Sequence, residues 1–280
     1  VEKYGLIFAF LGDLPEHERP PIIDIPEWDQ RGWRATTDVF EWAFNYQRSI
    51  ENGIDTAHNE FTHTTHIGAN PGKNYVPKFE QNNTEWGVEL NFVAPGKAAS
   101  SEGILGIAEG KPEDGPTDMR VAQHGISSLL AYIQPTPEFK VHAYLLETPV
   151  DEHNTRLFLI TLRNFMLEPE HDETARKTNH VIAMEDRDVL LQVRPVQTPL
   201  SNNREILVPS DAPIARYREL QREWEARGWR IDTECVKQSR AQEAYAIPSP
   251  GRRTEKGWVL PAVPLRQAGD EQPLAVSALG

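Results

Sequence analysis

The run Glu51-Asn52-Gly53-Ile54-Asp55-Thr56-Ala57-His58-Asn59-Glu60-Phe61-Thr62-His63 sets two histidines five positions apart, with Asp55 three before the first and Asn52 three before that. Ile50, Ile54, His58 and Phe61 follow at spacings of four, four and three, which puts them on one helical face and His58 in an apolar stripe. This helix is expected to start near Trp42. Gly53 inside it costs about 1 kcal/mol relative to Ala and marks a bulge or a close approach. On a straight helix His58 and His63 point about 140° apart. For both to face one metal ion the helix must bend, widen or end between them, and the expected place is Asn59 to Thr62.

A third ligand is found far along the chain. Asp172 to Val193 reads as a long helix, acidic at its start. Ile182, Asp186, Val189 and Val193 share one face, so Asp186 lies inside an apolar stripe, whereas Asp188 points elsewhere and Glu185 lies about 100° away. A buried carboxylate without a partner is costly, so Asp186 calls for a cation or a metal. His58, His63 and Asp186 together make a 2-His-1-carboxylate set, which holds Fe(II) on one face and leaves positions open.

A lone histidine is more often a core or surface residue than a ligand, but the spacing of the pair from Asp55 and Asn52 favours the metal. Asp55 lies one turn before His58, where a carboxylate can accept the proton of the ring nitrogen not bound to metal. Its plainer role is a solvated helix charge. Asn52 is placed to orient a ligand or a water; its plainer role is a polar surface residue. His66, three after His63, lacks an upstream carboxylate at the Asp55 spacing and is left out of the set. So are His124, His142, His153, His171 and His180, which have no constellation around them.

The remaining chain reads as antiparallel sheet. Trp33 to Phe44 reads as a strand running into the first helix. Trp86, Val88, Leu90 and Phe92 alternate, Ser127 to Ile133 is apolar, and Phe139–Leu145 and Arg156–Leu162 form a hairpin around Pro149 to Asn154. Tyr4 to Leu11 reads as one short buried strand ended by Gly12-Asp13, and the prolines at 15–29 mark an extended connector. Residues 95–120 read as a surface excursion. Gly68 to Lys73 echoes a phosphate loop only faintly, with the wrong spacing. Asp211, Pro213 and Gly228 bracket a third helix whose buried stripe is Ile214, Tyr217, Leu220 and Trp224. From about residue 245 a Pro-, Gly- and Arg-rich arm is expected. Strands with few intervening helices give an α+β class with one curved antiparallel sheet.

The chain has 280 residues, 39% of them apolar, and a net charge of −13. The acidity argues against nucleic acid or an anionic membrane surface as partner and fits a cytoplasmic protein with a small substrate. No apolar run approaches the roughly 18 residues of a membrane span. The lone cysteine, Cys235, excludes an internal disulfide and an iron–sulfur cluster held within this chain. The chain opens at Val1 in a strand-like run, and a piece of a longer polypeptide is expected.

Glu51-Asn52-x2-Asp55-x2-His58-x4-His63 resembles the iron-binding signature of the oxygenase (alpha) subunits of Rieske non-haem iron oxygenases. Met184-Glu185-Asp186-Arg187-Asp188-Val189-Leu190 resembles the segment that supplies their carboxylate ligand, with Asp186 at that position. The Tyr4–Asp13 run resembles the strand joining the Rieske domain to the catalytic domain.

The resemblance spans nearly the whole chain. It implies a helix-grip, START-like fold with the sheet around a long helix and an apolar cavity above a mononuclear Fe(II). Residues 1–14 would be the junction strand and 15–280 the catalytic domain. The [2Fe-2S] Rieske cluster would lie in an N-terminal domain that this chain lacks.

It further implies a homotrimer in which Asp55 bridges His58 to the neighbouring subunit's cluster. The substrate would be a small apolar or aromatic molecule, used with O2, and a reductase and ferredoxin would bring electrons from NAD(P)H. Hydroxylation, cis-dihydroxylation and O- or N-demethylation all remain open. Two rivals stand beside this reading. One is a metal-free helix-grip module binding an apolar ligand. The other is a zinc hydrolase, which lacks a well-placed Glu as base.

Overall fold

The computed structural model describes residues 1–10, 14–63, 76–94, 117–134, 137–199, 201–227 and 229. His66, the Gly68–Lys73 loop, residues 95–116, Cys235 and the arm beyond 245 lie outside the described residues. The chain divides into two compact units, Val1–Ala9 with Arg19–Ile231, and Phe10–Glu18 with Asp232–Gly280. In the second unit the described element is a 3-10 turn at Glu16–Glu18. Everything below concerns the first unit.

Tyr4 to Leu11 is not one strand. β1 (Glu2–Lys3) and β2 (Leu6–Ile7) pair as a tight hairpin, because Tyr4 and Gly5 both adopt positive φ, 58° and 70°. This left-handed pair is a turn geometry that glycine tolerates without a Cβ clash. Tyr4 is buried; its hydroxyl donates to Asp24 and accepts from the Ile25 amide.

The main sheet has seven strands: β3 (Arg34–Trp42), β4 (Phe79–Thr84), β5 (Gly87–Ala94), β6 (Thr117–His124), β7 (Ser128–Gln134), β8 (Val141–Pro149) and β9 (Thr155–Arg163). Their order across the sheet is β3-β9-β8-β7-β6-β5-β4, every pair antiparallel. The hairpin read from alternation is therefore β8–β9, and Trp42 ends a strand where a helix start was expected. Residues 117–120, expected in a surface excursion, begin β6.

Among the described residues the α-helices are α1 (Tyr46–Gly53), α2 (His58–Thr62), α3 (Asp172–Leu190) and α4 (Ala212–Ala226). Among the described residues no helix is long and apolar enough to cross a membrane.

Strand alternation sorts the core onto two faces. Leu157 and Leu159 of β9 join Phe40, Trp42, Ala183 and Leu190 on the face covered by α3. Leu129 and Ile133 join Ile50, Ile54 and Trp224 under α1 and α4 on the same side. Ile160 and Leu162, one residue out of phase, point the other way and pack with Tyr144, Leu146, Ile23 and Ile25. The sheet is thus covered by helices on one side and by the N-terminal segment on the other.

The opening stretch is cut twice. Asn45 caps α1 through the Gln47 amide, and the helix ends at Gly53. A Cβ at Gly53 would lie 2.4 Å from Leu129 Cδ1, so glycine is what lets α1 lie this close to β7. Asp55 then turns its carboxylate back onto the Ala57 amide, 2.8 Å, the local bond by which aspartate competes with a continuing helix. This break between Ile54 and Ala57 was not expected and comes in addition to the helix end expected at Asn59–Thr62. α2 itself stops before His63, whose ψ of 51° is no longer helical. Phe61 does not share the buried stripe; it is largely exposed.

Candidate metal centre

α1, the break after it and α2 carry Asn52, His58 and His63; α3 brings Asp186 across to meet them. One nitrogen from each histidine and one Asp186 oxygen lie within 4.8 Å of one another, the group of metal-binding type found among the described residues. His63 Nε2 stands 3.2 Å and His58 Nε2 3.6 Å from Asp186 Oδ1. The same oxygen accepts from Asn52 Nδ2 at 3.0 Å.

The outer nitrogens are held as well. His63 Nδ1 lies 3.0 Å from Glu185 Oε2, and His58 Nδ1 lies 2.5 Å from the Asp55 carbonyl oxygen. Both partners are acceptors, so Nδ1 carries a hydrogen in each ring and Nε2 is the nitrogen turned to Asp186: protonated, it donates to the carboxylate; neutral, it offers a lone pair to a metal. Fixing the outer nitrogen in this way orients and tunes an imidazole ligand. Donor type, spacing and tautomer all fit a divalent cation of the Fe(II) class.

The electrostatics point the same way. Burial opposes ionisation of Asp186, but the hydrogen bond from His63, the His58 and His63 charges and the Asn52 amide together hold its carboxyl below the usual range. Burial likewise pushes His63 down, yet Asp186 and Glu185 outweigh it and raise the imidazole. The carboxylates draw positive charge to the point where the Nε2 atoms converge, and a cation answers the same demand.

Three details differ from the sequence expectation. The Asp55 carboxylate does not meet the His58 ring; its backbone carbonyl does. Glu185, set aside as lying off the ligand face, faces His63, since a carboxylate one position before Asp186 reaches round the helix to the ring's far side. And Val189 is exposed, so the buried side of α3 around Asp186 is made by Ala183 and Leu190. Glu51 is also occupied elsewhere, pairing with Arg48 and Arg218 at 2.7 and 2.6 Å.

The group opens on a cavity of about 190 Å³ between α3 and the sheet. Its wall is mostly apolar, with Trp42, Phe44, Leu129, Val141, Leu157 and Leu159 among the lining residues. Strands β6, β7, β8 and β9 and helix α3 supply most of the lining.

Beneath the cavity Ser49 Oγ donates to Glu147 Oε1 at 2.5 Å, while Glu147 Oε2 is buried with no partner. Burial, ahead of the Asp186 charge, pushes Glu147 up to about 8 against the opposing Ser49 bond. With a folded value above the unfolded 4.5, the native state keeps a proton that the unfolded chain releases. Stability from this group is full below about 4.5 and is lost as pH rises towards 8, at up to about 1.4 kcal/mol per pH unit. Glu147→Gln is expected to remove most of that slope. Urea denaturation of both proteins between those pH values is the check, and parallel slopes would show that Glu147 is ionised throughout.

The profile of the vanillate O-demethylase oxygenase C-terminal domain matches residues 42–227. A putative toluene-4-sulfonate monooxygenase system iron-sulfur subunit of Comamonas testosteroni is 28% identical over 88 residues, 31% of this chain and 25% of that protein. NdmA of Pseudomonas putida CBB5, solved with caffeine, superposes with a TM-score of 0.56 at 19% identity, covering 78% of this chain and 57% of that one. Dicamba monooxygenase bound to 3,6-dichlorosalicylic acid superposes with a TM-score of 0.53 at 18% identity, covering 75% and 64%. At these identities the superpositions speak to the fold. The chain spans a quarter of the curated relative and under two thirds of these two solved chains. With the profile covering well over half of its length, the chain belongs to the vanillate O-demethylase oxygenase C-terminal domain family, the catalytic domain of Rieske oxygenases.

Proposed function

We propose that His58, His63 and Asp186 hold a mononuclear Fe(II) and that the domain inserts one oxygen atom from O2 into a small apolar or aromatic substrate seated in the adjoining cavity. The observation that carries this is the convergence of two imidazoles, each with Nδ1 already engaged, on one carboxylate oxygen at an apolar cavity. The monooxygenase or demethylase outcome is preferred over cis-dihydroxylation, because the matching family profile is that of an O-demethylase and two of the relatives are called monooxygenases.

Bound by His58, His63 and Asp186, Fe(II) would supply the activation of O2. The protein's own part is geometric. Asn52 holds Asp186 Oδ1 in place by donating to it. Glu185 and the Asp55 carbonyl keep each Nδ1 protonated. The leucine and aromatic wall excludes water and orients the substrate. Electrons are proposed to come from a [2Fe-2S] Rieske cluster outside this chain, fed by a reductase or ferredoxin, and to enter through Asp55 in a homotrimer. Asp55 touches the His58 ring through its backbone, so such a path would use the Asp55 carbonyl bond.

The test is metal analysis of the protein reconstituted anaerobically with Fe(II). About one iron per chain is expected, falling to near zero in His58→Ala and His63→Ala. Zinc bound in preference to iron, or an apolar ligand bound with no metal requirement, would replace this reading by one of its rivals. Asp55→Asn keeps the backbone carbonyl that meets His58 and is expected to keep the iron and the rate of reduction in single-turnover measurements on the full-length protein; slowed reduction would put the path on the Asp55 carboxylate instead.

A further inference from the structure

Resting on that reading, and adding a residue to the same reaction, we propose that Glu147, acting through Ser49, delivers a proton to the oxygen being reduced in the cavity. Glu147 lies on β8 and is 1% exposed. Its Oε1 meets Ser49 Oγ at 2.5 Å, and its Oε2 is buried with no partner among the described residues. The influences on it are burial, the Ser49 hydroxyl and the Asp186 charge, and none of these is a cation. A buried carboxylate without a cation is far costlier than a buried carboxylic acid, so the group keeps its proton.

The acid form gives the contact with Ser49 a second polarity. As a carboxylate, Glu147 can only accept from Ser49. As an acid, its own O–H can donate to Ser49 Oγ, and the serine hydrogen then turns away from it. Ser49 lines the cavity, so that hydrogen is presented there. Ser49 stands on α1 one turn before Asn52, about 4.5 Å along the axis. Asn52 lines the cavity too and donates to Asp186 Oδ1 at 3.0 Å. The hydroxyl thus opens at the end of the cavity where the candidate centre lies.

Other groups at that end are committed or unsuited. Among the described residues lining the cavity, His58, His63 and Asp186 are assigned to the ion, and Arg163 and Arg187 stay charged. His171 precedes α3 and stands about 20 Å along the helix axis from Asp186.

The reaction calls for such a source. Converting a substrate C–H bond and O2 into C–OH and water takes up two electrons and two protons. The electrons come, on this reading, from the reductase or ferredoxin, and the apolar wall limits delivery of protons by bulk water. When Glu147 acts, its Oε1–H bond breaks and that proton goes to Ser49 Oγ, while the Ser49 proton passes to the acceptor oxygen. Glu147 is left as a carboxylate and recovers its proton from solvent by the reverse route once product has left. Water supplies the other proton of the turnover.

The first measurement is made on metal-free protein by infrared difference spectroscopy. The carbonyl band of a protonated carboxyl shifts when its hydrogen is exchanged for deuterium. Glu147→Gln keeps the shape of the side chain and is expected to remove one such band, which assigns it. After transfer into D2O that band should shift at least about 10-fold more slowly in Ser49→Ala than in the unaltered protein, because exchange then waits for local opening. If Glu147→Gln removes no band, Glu147 is ionised and the proposal is overturned; equally fast exchange in Ser49→Ala overturns it as well. The second measurement uses the full-length protein with its iron and electron donors. Glu147→Gln is expected to lower kcat by on the order of 100-fold at unchanged KM, the scale of a lost general acid. An unchanged kcat is equally fatal. Because exchange is read without metal, failure of the iron reading shows in metal content alone and leaves the first measurement intact.

Discussion

Asp186→Ala is expected to reduce bound iron from about one per chain to near zero and to abolish turnover, whereas Glu185→Ala retains a weaker site. The two carboxylates are adjacent in sequence, so the contrast is a sharp one. Asp186 Oδ1 is the atom on which His58 Nε2, His63 Nε2 and Asn52 Nδ2 all converge. Removing it leaves two imidazoles, which hold a divalent ion poorly. Glu185 Oε2 meets the outer nitrogen of His63, away from that convergence. Its loss frees the ring's tautomer and orientation, an effect of roughly 10- to 100-fold on metal affinity in comparable sites. Iron titration of both variants by mass spectrometry is the measurement. If Glu185→Ala lost the metal and Asp186→Ala kept it, the two roles would have to be exchanged.

Arg218→Met is expected to destabilise the domain by about 3 kcal/mol, at the lower end of what breaking a buried ion pair costs. Arg218 Nε meets Glu51 Oε1 at 2.6 Å and its Nη2 meets Glu205 Oε2 at 2.6 Å. Arg48 closes the ring on the other oxygens of the same two carboxylates, each at 2.7 Å. Arg48, Glu51 and Arg218 are all nearly buried, and Glu205 is about a quarter exposed, hence the lower figure. Without Arg218, two carboxylates share one guanidinium. The melting temperature should fall by roughly 6–10 °C for a domain of this size. Arg218→Met with Glu51→Gln should recover part of the loss, since the double variant no longer strands a carboxylate. A melting temperature unmoved by Arg218→Met would show the ring to be solvated. Because the ring fastens α1 to α4, the same variant is also expected to weaken iron binding through Asn52.

This ring illustrates what could not be read from the chain. Glu51 stands inside the signature run, and nothing in its spacing says that it faces Arg218 and not the metal. Glu185 was similarly set aside because a face drawn at 100° per residue describes Cα directions, whereas a glutamate side chain is long enough to reach round the helix. Phe61 and Val189 erred in the opposite sense. Their periodicity was sound, but α2 is too short and α3 too near the surface at that point for every apolar position to be covered.

The sequence by itself determined the class of the fold and the three residues of the candidate centre. Alternation over 139–162 is a period-2 signal that no helix satisfies, and two histidines with an acid one turn upstream are a local pattern. A lone aspartate within an otherwise apolar periodicity is legible for the same reason, since each of these signals lies within a few residues. Tertiary structure alone decided which acid holds His63, because Glu185 stands 122 residues further along the chain and meets the ring only when α1 and α3 pack on one sheet.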